Sequence, residues 1–254
     1  MAWLIAVAAA AAGLAAGWAA SVLAARVPGR DSLRPPWRCP RCGAEVRGAD
    51  LLPGAGWLRL RGRCRACQQR YGVRYLATEL ITAALLAALW LRFGADPLLP
   101  ALAWLAVVSV ALGWIDIARH RLPDALTLPS YPAGLILLAI AAPFEAAGWR
   151  HFLQALIGMA VAWLLFVLQA FIYPAGIGWG DVKLSGVLGL YLGWFGLAPL
   201  FYGLAGGYLL AAVTGIALIA ARRANRKSLL AFGPFLLTAT LAVILVTGPP
   251  PAPL

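Results

Sequence analysis

"VKLSGVLGLYLGWFGLAPLFYGLAGGYLLAAVTGIALIAARRANRK", Val182–Lys227, decides how this chain is organised. From Val182 to Ala221 it carries one charge, Lys183; four basic residues follow at Arg222, Arg223, Arg226 and Lys227. A helix needs about 20 apolar residues to cross the hydrocarbon core of a bilayer. The run is twice that long, so it reads as two spans with a tight turn near Gly196–Pro199.

Working outward, the other apolar runs fall at about Ala2–Ala25, Leu76–Leu91, Leu98–Ile117, Leu126–Ala147, Phe152–Tyr173 and Leu229–Thr247, which makes eight spans. Basic residues test that count. Twelve arginines crowd Arg26–Arg74 against Asp31, Glu45 and Asp50, and Arg119 and Arg121 lie between spans three and four. With eight spans these loops, Lys183 and the 222–227 cluster share one side, while the other side holds only Arg92 and Arg150. With seven, the 222–227 cluster would change sides. The positive-inside rule favours eight, with the rich loops in the cytoplasm and both termini outside it.

Composition agrees. The chain has 254 residues, 63% hydrophobic and 12% charged, with a mean hydropathy of +0.83, more apolar surface than a soluble domain can hide. In that setting the net charge of +12 reports orientation and not a nucleic-acid partner. Met1–Ala25 lacks a basic leading region and reads as a retained first span, with Gly13 and Gly17 placed for close helix packing. The expected fold is an all-α polytopic membrane protein of about eight transmembrane helices. Its segments are a first helix at 1–26, a cytoplasmic insertion at 27–75, a transmembrane core at 76–248 and a disordered tail at 249–254.

All four cysteines lie in the insertion, as "CPRC" (Cys39, Cys42) and "CRAC" (Cys64, Cys67). Each pair offers two thiolates from one turn, and two such turns complete a tetrahedral Zn²⁺ site. Gly43 supplies the positive φ that such a turn needs. Arg38, Arg41, Arg63 and Arg65 are expected to favour thiolates. Disulfides are the alternative, disfavoured in a reducing cytoplasm. Four sulfur ligands close the coordination sphere, so the metal is structural.

Carboxylates at a membrane helix are costly and therefore functional candidates. Asp116, in "GWIDIARHRLPD", ends span three; Asp181, in "GIGWGD", begins span six, at the same face. Two close carboxylates share a proton, so one can activate water while the other polarises a scissile carbonyl, as in aspartic proteases. Gly176, Gly178 and Gly180 leave main chain open to an extended substrate backbone. Other readings stay open at this point: Asp181 and Asp124 as helix N-caps, a proton-coupled transporter using the same carboxylates, or a zinc-anchored scaffold without catalysis. For Asp124 the cap is preferred. Lys183 is read as reaching for the interface and His120 as a loop residue.

At these residues the chain resembles the type IV prepilin peptidases, membrane aspartic proteases of the GxGD class. "IDIARHRLPDALTLP" (Ile115–Pro129) and "GIGWGDVKL" (Gly176–Leu184) look like the two aspartate motifs, "CPRC…CRAC" like the tetracysteine segment, and "RYLATELIT" (Arg74–Thr82) like the start of span two. The chain departs from the family pattern at Ser21, where an asparagine is usual, and at Arg74-Tyr75-Leu76, where "RYP" is usual. The resemblance implies that Asp116 and Asp181 are the catalytic pair and that Cys39, Cys42, Cys64 and Cys67 hold zinc. Glu79 matches a family glutamate. The substrates it implies are prepilins and pseudopilins, cut on the cytoplasmic side of a bacterial inner membrane. In many members methylation of the new N-terminus from S-adenosylmethionine follows. The lipid bilayer is the remaining partner.

Overall fold

The computed structural model describes residues 2–27, 39, 41–45, 58–70, 74–145, 147–174, 176–223, 225 and 230–249. Much of the insertion and residues 250–254, within the expected tail, lie outside the described residues. Among the described residues are eight α-helices: α1 Ala2–Arg26, α2 Arg74–Phe93, α3 Leu99–Arg119, α4 Asp124–Ala141, α5 Gly148–Ile172, α6 Trp179–Trp194, α7 Leu197–Ala220 and α8 Gly233–Thr247. The described residues hold no strand; an isolated antiparallel bridge pairs Arg63 with Arg70. Five segments are long and apolar enough to cross a membrane: Leu76–Phe93, α3, Asp124–Phe144, α5 and α7. α8 and the Ala12–Ala24 stretch of α1 are shorter apolar helices. The turn expected near Gly196–Pro199 is made by Phe195 and Gly196, the latter at φ +113°.

The chain divides into two compact units, Met1–Ala88 and Leu89–Leu254. In the first, α1 lies directly on α2. A Cβ on Gly17 would sit 2.6 Å from Glu79 Cα, and one on Gly13 3.0 Å from Ala83 Cα, so only glycine permits this approach. Thr78, Glu79 and Thr82 are buried, and the Thr82 hydroxyl donates to the Thr78 carbonyl at 2.8 Å.

The second unit is built around α6, which touches α4, α5, α7 and α8. From Leu184 to Trp194 every residue of α6 is buried, the pattern of a helix with neighbours on all sides. Close packing on α5 depends on three glycines. A Cβ on Gly189 would meet the Gly158 carbonyl at 2.3 Å, one on Gly158 the Gly189 carbonyl at 2.5 Å, and one on Gly193 the Gln154 carbonyl at 2.6 Å. These contacts seat α6 and, with it, its first turn.

At the end of this unit where α2 finishes, Arg92 donates to the Leu245, Thr247 and Val246 carbonyls at 3.0, 3.3 and 3.4 Å, capping α8 with a cation where its dipole is negative. Asp96 accepts the Leu98 N–H at 2.7 Å. Glu145, just past the Asp124–Phe144 segment, is pushed up to about 7 by burial and then by the Asp96 carboxylate. A carboxyl whose folded-state pKa is raised binds its proton more tightly when folded, so its contribution is complete below pH 4.5 and is lost as pH rises through about 7. The unfolding midpoint of the detergent-solubilised protein is expected to fall across that window, and to fall less in Glu145→Gln. An unchanged slope in that variant would exclude Glu145 as the source.

Candidate active site

Asp116 lies in the last turn of α3, which His120 closes at φ +48° by donating its N–H to the Asp116 carbonyl at 2.8 Å. The Asp116 side chain is buried, 5% exposed, and its Oδ2 accepts the backbone N–H of Gly233 at 3.1 Å. Gly233 opens α8 and is followed by Pro234. N–H groups of a helix's first turn have no partner within the helix, and the dipole there favours a carboxylate. Asp116 thus sits at the disfavoured end of its own helix and at the favoured end of another. A Cβ on Gly233 would lie 2.9 Å from Asp116 Oδ2 and 3.4 Å from the methyls of Leu122.

Asp181 is the third residue of α6. The N-cap is Gly178, whose carbonyl accepts the Asp181 N–H at 3.0 Å, so the Asp181 side chain is not the cap. Its Oδ1 is buried and has no hydrogen-bond partner among the described residues. The two carboxylates are close enough for the charge of Asp116 to act on Asp181. Beside them Tyr208 of α7 donates to Gln169 Oε1 of α5, and the Tyr208 ring packs on Phe232, with centroids 4.9 Å apart.

The three glycines differ from one another. A Cβ on Gly176 would collide with the Tyr173 ring, and one on Gly180 would meet Leu122 Cβ at 3.0 Å. Gly178 is exposed, with Asp181 Oδ2 as the nearest neighbour of its Cβ position, at 3.4 Å. None of the three has positive φ, so close approach and not backbone hand selects glycine at 176 and 180.

Two expectations change. Asp124 is not the cap of α4: Pro123 is, and Asp124 is the first helical residue with no capping bond. Lys183 does not extend to the interface alone: its Nζ binds Asp124 Oδ1 at 2.7 Å and Oδ2 at 2.9 Å. α4 and α6 begin at the same end of the unit, which brings opposite charges 59 residues apart into contact. Gly233 was not singled out at all. "FGPF" marks a helix start, but its target lies 117 residues away.

In the other unit the four thiols converge. Cys39 and Cys67 sulfurs are 4.0 Å apart, Cys42 and Cys64 sulfurs 3.9 Å apart, and all four lie within 4.8 Å of one another. Tetrahedral Zn–S bonds of about 2.3 Å place sulfurs about 3.8 Å apart, so the spacing fits a metal and excludes S–S bonds. The two turns match: Gly43 N–H donates to the Cys39 carbonyl at 2.9 Å and Gln68 N–H to the Cys64 carbonyl at 3.0 Å. Gly43 has φ +70°, as expected, and Gln68 takes φ +55° in the second turn. Backbone N–H groups of Cys42 and Arg41 hold the Cys39 thiol below its usual value; main chain, not the expected guanidinium charge, favours this thiolate. At Cys42 the Ala44 N–H pulls down, but desolvation and the thiols of Cys67, Cys39 and Cys64 push the group up to about 11. Thiols so crowded resist ionising together unless a cation sits among them. The residues therefore suit a bound metal ion.

Comparison with known proteins is consistent across the chain. Residues 11–93 match the bacterial peptidase A24 N-terminal domain, and residues 101–247 match the type IV leader peptidase family. A prepilin leader peptidase/N-methyltransferase of Aeromonas salmonicida (strain A449) is 37% identical over 203 residues, 78% of this chain and 67% of the relative. One of Burkholderia pseudomallei (strain K96243) is 35% identical over 217 residues, 83% and 67%. One of Myxococcus xanthus (strain DK1622) is 38% identical over 189 residues, 72% and 54%. No solved structure matches. With more than half of its length under one family model and relatives this similar over most of the chain, the protein belongs to the type IV leader peptidase family and is a peptidase.

Proposed function

We propose that this chain is a membrane aspartic endopeptidase that removes the leader from type IV prepilins and pseudopilins, with Asp116 and Asp181 as its catalytic pair. The observation that carries the reading is a buried, Gly233-bound Asp116 on one side of Leu122 and, on its other side at Gly180, the helix start that carries Asp181. The names of the relatives supply the substrate class.

In this mechanism one carboxylate takes a proton from water as its oxygen attacks the scissile carbonyl. The carboxyl group of the other hydrogen-bonds the carbonyl oxygen as it gains charge. The tetrahedral intermediate collapses, the C–N bond breaks, and the leaving amine takes up a proton from the pair. The two groups titrate as a unit, so acid and base roles belong to the pair. The Gly233 N–H orients Asp116. Gly176, Gly178 and Gly180 would line the path of the extended substrate, with Gly178 the most open of the three.

The remaining assignments belong to the same proposal. All eight helices span a bacterial inner membrane, with the aspartates and the 27–75 insertion in the cytoplasm, as the arginine distribution supports. Cys39, Cys42, Cys64 and Cys67 hold a structural Zn²⁺, which when bound supplies folding free energy to the insertion and no step of the hydrolysis. Purified protein is expected to contain about one zinc per chain by elemental analysis. Cys39→Ser combined with Cys64→Ser should lose it and make the insertion protease-sensitive. Full zinc retention in that variant would rule the site out. N-methylation of the new terminus from S-adenosylmethionine is the second activity, tested by transfer of labelled methyl to cleaved pilin. For the peptidase the test is prepilin cleavage by the Asp116→Asn and Asp181→Asn variants in lipid nanodiscs; normal cutting by both ends the reading.

A further inference from the structure

Asp181 Oδ1 has no hydrogen-bond partner among the described residues, and the carboxylate is otherwise held only by the main chain of Gly178, at the start of its own helix. Before it, residues 173, 174 and 176–178 lie in neither α5 nor α6, and two of them are glycines. The position of Asp181 therefore depends on what holds the first turns of α6. α5 touches these turns through Phe171 on Trp179, ring centroids 6.3 Å apart, and through the Ala162 carbonyl, which accepts the Ser185 hydroxyl at 3.3 Å; three further contacts come from one stretch, Leu122–Tyr131. Leu122 lies against Gly180, with 3.0 Å between its Cβ and the position of an added one. Asp124 binds Lys183 Nζ through both oxygens, at 2.7 and 2.9 Å. The Tyr131 hydroxyl donates to the Lys183 main-chain carbonyl at 2.6 Å, and its ring reaches that far because Gly186 has no side chain: a Cβ there would meet the Tyr131 oxygen at 2.2 Å.

The same stretch follows directly on α3, which carries Asp116, and Leu122 also touches the Gly233 position that binds Asp116. Residues 122–131 are thus the physical link between the two carboxylates. We propose that Asp124, Lys183 and Tyr131 form a clasp that sets the placement of Asp181 relative to Asp116, with Asp124 and Lys183 as positioning residues for hydrolysis. The geometry separates this role from two simpler ones. Lys183 Nζ is engaged by Asp124, so it is not the direct partner of Asp181. Both side chains are substantially exposed, 36% for Lys183 and 56% for Asp124, so the pair adds little to stability. Its consequence is geometric: a bidentate contact fixes a lysine, and with it a helical turn, in one orientation.

This inference rests on the dyad reading, and the experiment keeps the two apart. Full-length protein in nanodiscs is assayed for cleavage of a prepilin peptide as wild type, Asp116→Asn, Asp124→Lys, Lys183→Asp and the double exchange. Asp124→Lys and Lys183→Asp should each lower kcat about five-fold, with KM changed less than about two-fold. The double exchange, which restores opposite charges in reverse order, should recover most of that loss, an outcome that mere tolerance of either site does not produce. Full kcat in either single variant, or a double exchange as slow as the product of the singles, overturns the clasp while an inactive Asp116→Asn leaves the dyad standing. Normal cleavage by Asp116→Asn overturns both.

Discussion

Asp116→Asn is expected to lower prepilin cleavage by about a thousand-fold or more, and Asp181→Asn to do the same. Asparagine has nearly the shape of aspartate, and its amide oxygen can still accept the Gly233 N–H that Asp116 Oδ2 now accepts at 3.1 Å. Helix packing is therefore kept. What is lost is the group that moves a proton between water, carbonyl and leaving amine. Because the pair acts as a unit, the double variant should be hardly slower than either single one. Turnover of a prepilin peptide in nanodiscs measures this, with equal protein insertion as the control. Activity within about ten-fold of wild type in either single variant would remove that residue from the mechanism.

Gly233→Ala carries the second large effect. The added methyl would stand 2.9 Å from Asp116 Oδ2 and 3.4 Å from Leu122 Cδ1 and Cδ2, with Asp116 buried and unable to swing into solvent. The carboxylate must move or the start of α8 must tilt, and either lengthens the bond that orients it. Loss of one preorganised donor costs about a hundred-fold in catalysis. Gly233 does not have positive φ, so alanine strains no backbone there, and thermal stability should change little while kcat falls. That opposition separates an active-site effect from a folding defect. A variant that cuts within about three-fold of wild type would show that the Gly233 contact does not matter for the reaction.

How far the sequence could be read varied by residue. The tetracysteine cluster was legible because each pair makes a local turn, and "CPRC" and "CRAC" dictate matching knuckles wherever they occur. Close packing at Gly13 and Gly17 was legible because a four-residue glycine spacing marks one face of a helix. Asp116 and Asp181 stood out because a carboxylate in an apolar run has few inexpensive explanations, and the structure brings their charges within reach of one another. Asp124 was misread: an aspartate after Leu-Pro and before an apolar run looks like a cap, and its real partner, Lys183, is 59 residues further on. Lys183 was misread for the same reason. Gly233 left only a helix-start signal.

The sequence by itself determined the apolar segments, the polar ends of the helices and the thiol set. Transfer of a segment into hydrocarbon is nearly a sum over its own residues, and a knuckle turn closes over a few. The tertiary structure alone decided which helix starts meet. It put the N–H of Gly233 on Asp116, Leu122 between Gly180 and Gly233, and Asp124 on Lys183. Those contacts depend on how closely α6 can approach its neighbours, through Gly158 of α5, Gly189 and Gly193 of α6, and Gly186 under Tyr131. Such distances are set by van der Waals contact between surfaces remote in the chain, a property of pairs of helices that no single segment encodes.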